Sequence, residues 1–221
     1  MKQIRGMWFP DDDTHFQQHL EREELLLNRG QYQSKKLHAA VALVPESSRG
    51  LAVDIGAHVG LWTHVLASLF DHVEAFEPHP VLFECWKRNC AGIENVTGHK
   101  VALSNVDSDI RIEYVEGNSG NAHVAEPGTG RGHLTRACAL DNLLFPQKID
   151  LMKIDTEGWE LFVLKGAIKT ILKDKPVIVL EQKPGNAERY QLSRTAALEY
   201  LIGNGAKLMW EKSGDYCVKF A

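Results

Sequence analysis
Val53-Asp54-Ile55-Gly56-Ala57-His58-Val59-Gly60 closes the apolar run Leu51 to Ile55 and leads into a stretch with Leu61, Val65, Leu66 and Leu69 along one side of a helix. Strand, glycine turn and helix in that order form the opening unit of an open α/β sheet. Asp54 falls at the end of the strand, and Gly56 and Gly60 bracket a turn where backbone has to come close to a ligand. A dinucleotide site would carry G-x-G-x-x-G, with its pyrophosphate on the helix N-terminus. Here His58 holds the place of the middle glycine.

The pattern repeats downstream. A strand Val73 to Phe76 ends on Glu77, Pro78 and Pro80 open a helix running toward Gly92, and a third strand is predicted at His99 to Leu103. The rhythm lapses from Ser104 to Leu140, where an alternating run Ile110 to Val115 precedes a Gly-, Asn- and His-rich loop from Gly117 to His133. It resumes with a strand Ile149 to Ile154, a helix Glu160 to Leu172, a strand Val177 to Leu180 and a helix Thr195 to Ile202. Ala206 to Glu211 and Tyr216 to Phe220 flank Ser213-Gly214-Asp215 as a hairpin. The predicted fold is α/β: a Rossmann-like, mostly parallel seven-stranded sheet with a C-terminal antiparallel hairpin, flanked by helices.

Upstream, Asp11 to Thr14 offer N-cap side chains to a helix with Phe16, Leu20, Leu26 and Leu27 near helical spacing and a stop at Gly30. A second helix runs from Tyr32 to Val44. The expected organisation is a helical extension or lid over 1–48 and a catalytic domain over 49–221, with an insertion near 104–140.

With 221 residues, 44% of them hydrophobic, the chain can bury one full core. A net charge of -4 supplies no general field for a phosphate backbone, so nucleic acid is a disfavoured partner. Cys85, Cys90, Cys138 and Cys217 match neither a zinc knuckle nor a CxxC redox pair, and they read as reduced thiols. No apolar run approaches the roughly 20 residues that span a bilayer, and Met1 to Asp13 lacks the apolar stretch of a signal peptide. A cytoplasmic location with no membrane partner is expected; a homo-oligomer is left open.

The spacing D-x-G-x-x-x-G suits a ligand without phosphates whose cationic amino group is drawn to Asp54, and S-adenosylmethionine is such a ligand. Glu77 follows Asp54 at close to the roughly 20-residue offset at which an acid meets ribose hydroxyls. A second cluster, Lys153-Ile154-Asp155-Thr156-Glu157-Gly158-Trp159-Glu160, ends the fourth strand, and Glu181 ends the next. At the carboxyl ends of parallel strands these acids should share a crevice with Asp54 and Glu77. A lysine inside a covered strand needs a carboxylate, and Asp155 lies on its side of the strand.

VDIGAHVG, FEPHP, VALSN, KIDTEGWE followed by VLKGA, and PVIVLE, in this order, resemble the FkbM family of methyltransferases over about Gly50 to Gln182. The resemblance implies O-methylation of a hydroxyl, often on a sugar or natural-product scaffold, with S-adenosylmethionine as cofactor. It implies a cofactor-binding set of Asp54, Gly56, Ala57, His58, Gly60, Glu77, Pro78, Ala102, Ser104 and Asp155. Asn118-Ser119-Gly120-Asn121 resembles the family's insertion beside the cofactor and acceptor pocket.

The candidate catalytic residues are Asp155, Glu157, Lys153 and Glu181. An alcohol is a poor nucleophile at neutral pH, so a base should help; Asp155 and Glu157 lead, and His123 is a further candidate. Alternatively, Asp155, Glu157 and Glu181 hold a divalent metal such as Mg2+. His15 and His19 lack the acid that a zinc protease motif needs, and Trp159 is a candidate lining of the acceptor pocket. The competing functions are a nicotinamide-dependent oxidoreductase, an idle cofactor-binding module and an RNA ribose 2'-O-methyltransferase.

Overall fold
The computed structural model describes residues 1–21, 33–126 and 128–221. Seven strands form the main sheet: β1 (Leu51–Ile55), β2 (His72–Phe76), β3 (Val96–His99), β4 (Ile149–Ile154), β5 (Val177–Glu181), β6 (Ala206–Lys212) and β7 (Asp215–Phe220). Their order is β6-β7-β5-β4-β1-β2-β3, parallel throughout except for the antiparallel β7, which pairs with β5 and β6. The chain leaves β1 toward β2 on one side and later returns to lay β4 on the other. That switch of direction opens a crevice at the carboxyl ends of β1 and β4, the usual ligand position in such sheets.

All five residues of β1 are buried because both sheet faces are covered. One face packs Val53, Ile55, Met152, Ile154, Ile178 and Leu180 against Leu161, Leu164, Ile171 and Leu201. The opposite face packs Ala52, Leu151, Val177 and Val179 against Leu37 and Val41 of α2 (Ser34–Val41) and Trp62 and Leu66 of α3 (Leu61–Ala67). Each such aliphatic side chain, fully buried, contributes about 1.5–3 kcal/mol. Asp54 and Lys153 fall on the second face by period-two alternation, opposite each other in the β1–β4 register.

Several elements differ from the sequence expectation. The third strand is Val96–His99, not His99 to Leu103; Ala102–Leu103 pairs instead with His133–Cys138 in a second sheet. The strand's polar Thr97 and His99 and its Gly98 hide it, yet a Cβ at Gly98 would stand 2.1 Å from Trp86 Cζ3, so only glycine admits the Trp86 ring there. Trp86 belongs to α4 (Pro80–Asn89). The lapse in the pattern after Ser104 is this second, four-stranded sheet, in which His133–Cys138 lies between Ala102–Leu103 and Ser108–Glu113, with His123–Val124 beyond. Residues 160–174 form two helices, α5 (Glu160–Lys165) and α6 (Ile168–Asp174), the second capped by Asp141, which accepts from Lys169 N and Thr170 N at 3.1 and 2.8 Å. The helix α7 (Ala196–Gly203) and the terminal hairpin lie where expected.

At the N-terminus an unanticipated hairpin pairs Lys2–Ile4 with Met7–Phe9. Asp13 caps α1 (His15–Glu21), its Oδ1 accepting from Phe16 N at 2.8 Å. Leu26, Leu27 and the Gly30 stop lie outside the described residues, as do the side chains of His19 and Leu20. The four cysteines are free thiols. Among the described residues no helix is long and apolar enough to cross a membrane.

Candidate active site
The glycine loop is tied down from beneath. Asp54, fully buried, accepts from Thr63 Oγ1 at 2.7 Å, and Thr63 in turn accepts from Trp86 Nε1 at 3.0 Å. Its other oxygen stands 3.3 Å from Lys153 Nζ. Lys153 donates to the Gly56 carbonyl at 2.6 Å and lies 3.7 Å from Asp155 Oδ2. Burial alone would lower the lysine pKa, but Asp54 and then Asp155 outweigh it and hold the ammonium above its ordinary value. The nearer partner of Lys153 is thus Asp54 across the register, not Asp155 along the strand.

Gly56 has φ +73°, and a Cβ there would fall 1.8 Å from the Asp155 carbonyl oxygen. The close approach that the glycine permits is to the end of β4. Above this platform lies an open-mouthed cleft enclosing about 960 Å³ of space, the solvent at its mouth included. Gly56, Ala57, His58, Glu77, Pro78, Ala102, Lys153, Asp155, Glu157 and Glu181 all line it, as do His123 and Trp159.

Three of the expected residues stand apart from this lining. Asp54, Gly60 and Ser104 do not line the cleft. Asp54 is engaged below the loop by Thr63 and Lys153 and so supports the loop from beneath. Gly60 starts α3 against Trp86 and Cys90, and Ser104 stands behind the wall, accepting from Trp159 Nε1 at 3.2 Å.

Glu77 accepts from His58 N at 2.9 Å through one oxygen and from His79 N at 2.8 Å through the other. Burial, opposed by these two bonds, raises its pKa to about 7. Across the cleft Asp155, Glu157 and Glu181 each offer an oxygen within 4.8 Å of the others. Burial and then mutual repulsion push Glu157 up to about 8 and Glu181 up to about 9, and burial raises Asp155. Asn186 Nδ2 donates to Glu157 at 2.6 Å, and Lys183 lies 3.1 Å from Glu181. His123 donates Nδ1–H to the Asn121 carbonyl at 2.8 Å.

Sequence reasoning missed several contributors. Glu160, buried, accepts from Thr156 N and Gly158 N at 3.0 and 2.9 Å and so shapes the turn that carries Glu157. Its place in KIDTEGWE was visible, but its inward direction was not. Phe16 also lines the cleft, and Ser119 beside it hydrogen-bonds His58.

The sequence matches the family described as Methyltransferase FkbM domain over residues 54–207. The chain belongs to the FkbM methyltransferase family. No curated protein matches the sequence. Among solved structures, an FkbM methyltransferase from Methylobacillus flagellatus KT is 18% identical with a TM-score of 0.50, covering 78% of this chain. This FkbM chain spans only 43% of the length of that protein. An rRNA methylase from Streptococcus thermophilus (16% identity, TM-score 0.50) covers 89% of this chain and 100% of its own. A Streptococcus mutans protein assigned as a methyltransferase and solved with SAH (14%, TM-score 0.51) covers 84% of this chain and 94% of its own. At such identities these structures share the methyltransferase fold with the FkbM chain, and the family match covers most of the main sheet.

Proposed function
We propose that the cleft binds S-adenosylmethionine and that the protein transfers its methyl group to a hydroxyl of a sugar or natural-product-like small molecule. The observation that carries this reading is the meeting of Glu77 and Asp155 on one cleft, beyond the ends of β2 and β4 with the glycine loop between them.

The residues fit the cofactor. Each Glu77 oxygen takes one backbone N–H and keeps a further lone pair, which suits the two hydroxyls of a ribose. Phe76, Val101, Leu103 and Val124 give the cleft an apolar wall for a planar base. The acids on the opposite side, held protonated by burial, ionise most easily beside a positive charge, so a cationic group bound there would lower their raised pKa values. When bound, S-adenosylmethionine supplies a methyl group already activated by its positively charged sulfur. The chain's own tasks are to align the acceptor, exclude water and receive the hydroxyl proton. Asp155 or Glu157 receives that proton, since burial raises the basicity of both carboxyls above the ordinary carboxylate value. Lys153 holds the loop through Gly56 and Asp54 rather than reacting. A cytoplasmic setting belongs to the same reading.

Methyl-labelled cofactor incubated with saccharide, small-metabolite, lipid and RNA fractions tests the proposal. Label is expected in saccharide or small metabolites; label in RNA would instead make the protein a ribose methyltransferase. The converging oxygens of Asp155, Glu157 and Glu181 keep Mg2+ as a second reading of that rim. Transfer that persists after rigorous chelation removes the metal and leaves the general base.

A further inference from the structure
The N-terminal segment reaches the cleft through a short polar chain. Asp13 and Ser119 are both fully buried, and the Ser119 hydroxyl donates to Asp13 Oδ2, which also accepts from Ser119 N at 3.2 Å. Asp13 Oδ1 is engaged by Phe16 N at 2.8 Å. On its other side Ser119 Oγ lies 2.8 Å from His58 Nε2. A hydroxyl has one hydrogen, and a carboxylate can only accept. With that hydrogen directed to Asp13, Ser119 Oγ must accept from His58, and the imidazole proton is placed on Nε2.

We infer that Asp13 and Ser119 are positioning residues that lock His58 in its Nε2–H tautomer, so that Nδ1 offers a lone pair to a hydroxyl or ammonium donor of the bound cofactor. This rests on the cofactor reading given above. The opposite tautomer would set an N–H against a ligand donor and turn a bare Nε2 lone pair toward the Ser119 oxygen, whose one hydrogen is directed to Asp13. The ring is held in place by Phe16, stacked on it with centroids 5.1 Å apart and planes at 27°. His58 itself sits in the left-handed region at φ 53°, a conformation that needs surrounding contacts to persist. Burial, then the charge of Lys153, lowers the imidazole pKa to about 3, so the ring is neutral and its tautomer is a meaningful choice. The device makes residues near the start of the chain part of a site otherwise built by the main sheet.

Nitrogen-15 NMR of the ligand-free protein, with His58 assigned by difference from His58→Gln, reads the tautomer directly. Protonated Nε2 with bare Nδ1 is expected; a protonated Nδ1 or a mixture would overturn the lock. SAH titrations of Ser119→Ala and Asp13→Asn should show about tenfold weaker binding, about 1.4 kcal/mol, with affinity recovered in Ser119→Thr. Unchanged affinity and tautomer in Ser119→Ala would likewise overturn it. Failure of SAH to bind the wild-type protein would count against the cofactor reading instead, while the ligand-free imidazole signals still decide the tautomer.

Discussion

Asp54 and Lys153 show how a motif residue can serve a site without touching the ligand. Their carboxylate and ammonium meet at 3.3 Å with almost no exposure, directly beneath the loop. Removing one partner of a buried pair costs about 3–5 kcal/mol because the other charge is stranded. Lys153 keeps Asp155 at 3.7 Å, so Asp54→Ala should lose part of that stability in urea unfolding and bind SAH weakly because the loop loosens; wild-type stability would show that Asp155 replaces Asp54 fully. Asp155→Asn should lower kcat by about 10²–10⁴-fold, far more than it weakens SAH binding, as measured with any acceptor the labelling identifies. Glu77 and Asp155 were legible in the sequence because each follows an apolar strand, which fixes its place on the rim. The contact between Asp13 and Ser119 was not. It joins residues far apart in the chain, and no local spacing encodes it.

Elements were legible wherever both sides of a strand are covered. β1, β2, β4 and β5 are short, mostly apolar and largely buried, and helices between them leave little freedom in their order. The edge strand β3 was displaced because its Thr97, Gly98 and His99 carry no apolar signal, and of the second sheet only the alternating run Ile110 to Val115 and the misassigned Ala102 and Leu103 stood out, because its strands are half-exposed and polar. The glycine loop is the element on which the site depends. Gly56→Ala would set a Cβ 1.8 Å from the Asp155 carbonyl at φ +73°. Strain of this kind costs about 1–3 kcal/mol before the steric clash is counted. The variant should unfold at lower temperature and lose SAH binding together; loss of neither would place the loop differently relative to β4.

At the scale of the whole molecule, the cleft concentrates acids that resist ionisation. Glu77, Glu157, Glu160 and Glu181 are held near 7, 8, 7 and 9, from an ordinary value of 4.5, chiefly by burial. A carboxyl with a raised folded pKa contributes its stability fully below the unfolded value and loses it as pH rises through the folded one. His58 and His79, lowered from 6.5 to about 3 and 4 by burial, act oppositely, contributing above 6.5 and losing that contribution as pH falls. Above about pH 7.5 the histidines are almost wholly neutral in both states, and the raised carboxyls set the slope, joined toward pH 9 by the buried thiols of Cys85, Cys90 and Cys217, which act in the same direction. The Tm of the ligand-free protein should fall across that window; a flat or rising Tm would mean that the acids are solvated or paired. The central claim is that this cleft holds S-adenosylmethionine with Glu77 as a principal contact. Calorimetric titration of SAH and NADH into wild-type and Glu77→Ala protein tests it most directly. SAH should saturate one site on the wild type, weaken about tenfold or more in the variant, and leave NADH silent, whereas NADH binding without SAH binding, or equal SAH affinity in both proteins, would contradict it.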